Sequence, residues 1–195
     1  MLIDFYMKEQ MQKSNYVRVS EALNSYADFS KVKPDVLWFA TERGTKVHAL
    51  CAAYAQNIWI PEVPEHCKGY FDSFTSWFDK HVVRVFYVEE RFYNHKFFYT
   101  GQPDIILEMR SEGIMLIDNK TPQGNAFERI WRVQIAAYLN LEIPNVFKMP
   151  LDKAGSLQLD PKGKSARMKW YDESAKDFAQ FLHALSAYRF FKKGR

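Results

Sequence analysis

Cysteine is nearly absent from this chain. Cys51 and Cys67 are the two cysteines in 195 residues, too few for a disulfide framework. Long apolar runs are missing too: no stretch reaches the roughly 18 residues needed to cross a bilayer. Residues 1–7 are apolar but broken by Asp4, and they lack the basic region and small-residue cleavage site of a signal peptide. Together these absences predict a cytoplasmic protein with both thiols reduced. Repeats, linkers and low-complexity tracts are also lacking. Neither sign of charge dominates, with 27 Lys and Arg against 23 Asp and Glu for a net +4. That modest basicity suits a phosphate-binding protein without requiring one.

What is present is apolar matter: 47% of the residues are hydrophobic. This suffices for one globular domain, spanning 1–195, of the α/β or α+β kind. Residues 1–13 read as a loosely tied terminus. Residues 20–26 read as a short amphipathic helix capped by Ser20. Pro34 opens a connection, and Thr41 caps a helix running to about Asn57 that Pro61 and Pro64 end. A further helix covers about 65–80, with Phe71, Phe74, Trp77 and Phe78 at helical spacing.

The period then changes. Residues 82–92 and 96–100 read as strands around an Asn94–Lys96 turn. A helix spans 126–141, stopped by Pro144. Short strands follow at 146–150, 156–159 and 167–171, with loops at 152–155 and 160–164, and a long helix from 173 to about 192 ends the chain.

The most informative stretch is Gly101-Gln102-Pro103-Asp104 with Asp118-Asn119-Lys120-Thr121 after it. Between them lie an apolar run, a polar turn near Ser111 and Glu112, and a second apolar run. This is a hairpin that sets Asp104 nearly opposite Asp118, where facing side chains approach to ~5 Å. Two carboxylates so close repel unless a cation lies between them. Lys120 is two residues beyond Asp118 and shares its face of the strand. Oxygen ligands for a hard metal with a lysine beside them outline a phosphodiester-hydrolysis site.

At these residues the sequence resembles the PD-(D/E)XK nuclease superfamily, in its RecB-like and phage-exonuclease branch. Pro103-Asp104 matches the PD element and Asp118-Asn119-Lys120 the (D/E)XK element. Upstream, Arg43-Gly44 with His48 resembles the branch's RGxxxH helix. Downstream, Gln134 with Tyr138 resembles its QxxxY helix, where i and i+4 share a face. The four elements run in order from about Glu42 to Tyr138.

The resemblance implies a restriction-endonuclease-like core, a central mixed β-sheet flanked by helices. It implies Mg2+ or Mn2+ held by His48, Asp104, Asp118 and the backbone carbonyl of Asn119. Lys120 would be the catalytic lysine, as base or as electrostatic stabiliser. Gln134, Tyr138 and Arg43 would contact DNA or support the site, and Glu89 would support it from behind the ligands. With two cysteines, no four-cysteine iron–sulfur cluster is expected.

The implied activity is a deoxyribonuclease, foremost an exonuclease acting on DNA ends in recombination or repair and leaving 5′ phosphates. Linear single- or double-stranded DNA, a single-strand annealing protein and further copies of the chain are the implied partners. The alternatives are an endonuclease of the same fold, or a DNA-binding module on a degenerate site. The intact Asp104, Asp118 and Lys120 set speaks against the module.

Overall fold

The computed structural model describes residues 16–122, 128–144, 151 and 153–192. The elements in chain order are β1 (Val17–Arg18), α1 (Val19–Asn24), α2 (Pro34–Ala55), α3 (Glu65–His81), β2 (Val82–Val88), β3 (Phe92–Asn94) and β4 (Tyr99–Gly101). After them come β5 (Ile105–Met109), β6 (Gly113–Lys120), α4 (Glu128–Leu139), β7 (Lys153–Gln158), β8 (Arg167–Trp170) and α5 (Ser174–Lys192). The fold is mixed α/β, with mixed sheets flanked by helices. Five strands form the larger sheet in the order β2-β5-β6-β7-β8, antiparallel except for the parallel β6–β7 pair. A small second sheet has the order β1-β4-β3.

Strands β5 and β6 read as unbroken apolar runs because both of their faces are covered. Ile106, Ile114 and Leu116 point to one side, into a core shared with α1, α4 and α5. Ile105, Leu107, Met115 and Ile117 point to the other, against α2 and α3. The hairpin turns through residues 110–112 into Gly113, whose φ of 82° is open to glycine at little cost. The register pairs Ile105 with Ile117, so Asp104 and Asp118 stand one step further along, as the spacing predicts.

Several local expectations give way. Helix α1 is capped at Arg18 rather than Ser20, and the Arg18 N–H donates to Glu21 Oε2 at 3.2 Å. Helix α2 begins at Pro34, not at Thr41, because a proline at the first helical position has its φ already set. The Thr41 hydroxyl instead donates back to the Leu37 carbonyl within that helix.

The same helix stops before its prolines. Asn57 takes a left-handed φ of 55°, and the N–H groups of Asn57 and Ile58 donate to the carbonyls of Tyr54 and Ala53. Pro64 is the N-cap of α3.

The expected 82–92 strand divides at Glu89, whose φ of 53° turns the chain out of the larger sheet. Phe92–Asn94 then pairs with β4 in the small sheet. Residues 153–155, expected as loop, belong to β7, since pairing with Met115–Ile117 supplies their partners. The expectations for residues 1–13, for 126–127 at the start of the expected helix, for 146–150 and for 152 lie outside the described residues.

Candidate active site

Helix α2 crosses the end of the hairpin. Its Arg43, Val47 and Cys51, each four residues apart, are buried along one stripe. His48, on the edge of that stripe, comes down over Asp104. Its Nδ1 donates to Asp104 Oδ1 at 3.0 Å. The other oxygen of the same carboxylate accepts the backbone N–H of Asn119 at 2.5 Å. Asp104 thus joins α2 to β6.

Glu89 arrives from the far side. Val88 pairs with Ile105, and the Glu89 N–H donates to the Asp104 carbonyl at 2.8 Å. The turn at Glu89 brings its side chain back toward Asp104. Gln102 holds it there, donating from Nε2 to Glu89 Oε2 at 2.8 Å, while Arg91 donates to Gln102 Oε1 at 2.6 Å.

His48, Glu89 and Asp104 therefore form a triad able to hold a metal ion, their ligand atoms all within 4.8 Å of one another. An imidazole nitrogen and two carboxylates are a chemically suitable donor set for a divalent cation. Burial, and then the Asp104 charge, push the Glu89 carboxyl above its usual range. Burial alone would lower the pKa of His48, but Asp104 beside it and Asp118 further off push it up to about 9. A bound cation would relieve the crowding of these acids.

Asp118 lies outside the triad. Its Oδ2 is in contact with Lys120 Nζ. Burial raises its carboxyl pKa in spite of that lysine. Lys120 in turn donates to Gln134 Oε1 at 2.8 Å, and Gln134 Nε2 donates to the Tyr138 hydroxyl at 2.9 Å. The Trp131 ring lies 5.9 Å from Lys120 Nζ. Tyr138 packs where Gly101 leaves room. A Cβ there would come within 2.7 Å of the ring, too close for any other residue without displacing it.

The residues expected at the site thus divide into two groups. His48, Asp104 and Glu89 meet in one, with the Glu89 carboxylate beside the other two rather than behind them. Asp118, Lys120, Gln134 and Tyr138 form the other. Asn119 contributes its N–H to Asp104, and its side-chain Oδ1 is buried without a hydrogen-bond partner.

Arg43 is only 5% exposed, its guanidinium 5.1 Å from the Tyr70 ring centre and 6.0 Å from that of Phe39. It forms part of the wall of a cleft next to the site rather than an open surface. Gln102 and Arg91 were given no role from sequence. Gln102 stands between Gly101 and Pro103 in the most informative stretch, and that position was the available signal.

Two clefts reach the site. One, of about 560 Å³, opens on Gly44, Thr45, Glu89 and Asp104. The other, of about 660 Å³, runs past Asn119, Lys120 and Trp131 toward the start of α2. His48 borders both.

No protein-family model matches this sequence, and no curated protein matches it. Among the described residues no helix is long and apolar enough to cross a membrane.

Proposed function

We propose that the chain is a Mg2+- or Mn2+-dependent deoxyribonuclease with a PD-(D/E)XK, restriction-endonuclease-like core, acting foremost as an exonuclease on DNA ends. The observation that carries the reading is the convergence of His48, Glu89 and Asp104 beside the Asp118–Lys120 pair. Asp104 bonds to both His48 and the Asn119 N–H. A structural ion pair alone would need neither the second acid, Glu89, nor the histidine.

His48, Glu89 and Asp104 would hold the cation. When bound, it would neutralise charge on the phosphoryl group and make water a better nucleophile. Asp118 and Gln134 fix the direction of Lys120. A lysine so held is ready to donate to a phosphoryl oxygen as negative charge grows there, or to orient the attacking water. Gln134 is itself held by Tyr138, so this support reaches back into the core. The half-buried setting excludes bulk water and strengthens each of these interactions.

Incubation with linear and with covalently closed circular DNA tests the reading. The expected result is loss of linear DNA in Mg2+ or Mn2+, none with chelator, and an intact circle. Nicking or opening of the circle would favour the endonuclease alternative. No cleavage of either form in any divalent metal would overturn the proposal.

A further inference from the structure

The cleft on the Lys120 side has walls unlike a surface made for a duplex. Phe29 and Val32 line it from the approach to α2, Val36 and Leu37 from the first turn of that helix, and Trp131 from α4. Phe29, Val32 and Val36 remain exposed there. Lys31 and Lys33 line it as well.

Several basic groups elsewhere are committed. Lys46 pairs with Glu42 at 2.9 Å, Arg132 pairs with Asp177 and Glu173, and Arg189 donates to the carbonyls of Phe97 and Phe98. Lys31 and Lys33 make no ion pair among the described residues. Among the described residues the one acid on the cleft wall is Asp28, whose Oδ1 accepts the Ser30 N–H. The cleft is therefore apolar within, basic along its length, and continuous with Lys120.

A duplex would bring phosphates and sugars against those apolar walls and hide its base faces. That match is poor, because polar groups lose water without gaining partners. An unpaired strand offers both halves of the complement: base faces for aromatic and apolar walls, and phosphates for lysines.

We infer that this cleft receives the unstacked bases of a single DNA strand, its phosphates on Lys31 and Lys33 and the bond to be cut at Lys120. The inference rests on the nuclease reading and adds the state of the strand: the DNA is unpaired where it enters the site.

The test is fluorescence anisotropy in Ca2+ with three labelled probes: a short oligothymidylate, the same strand with abasic spacers, and a blunt duplex. Cutting is measured separately in Mg2+. The plain strand should bind at least about fivefold tighter than the abasic strand or the duplex, the effect of one stacked base. Trp131→Ala and Val36→Asp should each lower plain-strand affinity to the abasic level and leave the duplex unchanged. Val36 is exposed, so its replacement tests the cleft without disturbing Lys120.

Equal binding of all three probes, with metal-dependent cutting intact, would overturn the inference and leave the nuclease reading standing. Neither binding nor cutting of any probe would overturn both. Tighter binding of the corresponding RNA strand would overturn the assignment to DNA.

Discussion

The two halves of the site each draw a carboxylate out of water and differ in the charge set against it. In the lysine half, Asp118 is matched by Lys120, which is matched by Gln134, which is matched by Tyr138. In the triad half, Glu89 and Asp104 face one histidine, and burial with Asp104 pushes the Glu89 carboxyl upward. Burial raises the Asp118 carboxyl too, but there one acid meets one lysine, whereas in the triad two acids share one histidine. Buried acids without a full complement of partners destabilise a fold. That shortage of positive charge makes the triad a candidate place for a cation.

The largest effect that would separate the halves is on turnover. Lys120→Ala should lower the cleavage rate by roughly 10²- to 10⁴-fold, the span for a positioned proton-transfer group. Mn2+ affinity, read by calorimetry, should change little. The variant also leaves Asp118 buried without its partner, so it should lose up to about 3 kcal/mol of stability. A second change, Asp118→Asn, should restore much of that. Lys120→Arg retaining substantial activity would mark the lysine as an electrostatic stabiliser rather than a base.

Metal affinity comes next. Asp104→Asn should weaken Mn2+ binding by more than about 100-fold, since loss of a direct ligand exceeds the 10- to 100-fold typical of an outer partner. Asp118→Asn should weaken it by less than about tenfold. If the two variants lose affinity equally, the cation sits between the aspartates, and the division into halves fails. Gln102→Ala should fall between them, at about tenfold, because Gln102 holds Glu89 without being a ligand.

The aspartate pairing was legible because one signal sufficed. Two apolar runs flanking a polar turn fix the register, and the register fixes which residues face each other. Lys120 follows from the period of the strand. The place of Glu89 beside Asp104 and His48 was not legible. Its place depends on β2 pairing with β5 and on a left-handed backbone that the Val88-Glu89-Glu90 sequence does not announce.

The early start of α2 was hidden for a related reason. Val36, Trp38 and Phe39 are exposed large hydrophobics, and Trp38 is 66% exposed, so the first turns carry no apolar stripe toward the core. The start of strand β7 was hidden by Lys153-Ala154-Gly155, which reads as loop until β6 lies beside it. The hairpin was readable from its own residues and the His48 and Gln134 helices from their resemblance, whereas the Glu89 turn and the start of β7 depended on strand partners distant in sequence.

The smallest effect concerns the lysine half and its dependence on pH. Burial, with Asp118 nearby, holds the Tyr138 hydroxyl protonated well above its ordinary range. The unfolded chain therefore loses this proton first as pH rises. A raised folded-state pKa contributes stability that is complete below the unfolded value of about 10 and is lost above it, at up to about 1.4 kcal/mol per pH unit. Tyr138→Phe removes both this dependence and the hydrogen bond from Gln134. It should cost about 1 kcal/mol at neutral pH, and the gap from the parent protein should close toward pH about 11. Buried Cys51 and Tyr99, also shifted upward by burial, lie in both proteins and cancel in the difference. Denaturant titrations at stepped pH would read the two curves. A gap that stays constant from neutral to alkaline pH would mean that Tyr138 ionises in the folded protein as it does in the unfolded chain. The lysine half would then be open to water, and the contrast with the triad would be one of charge alone.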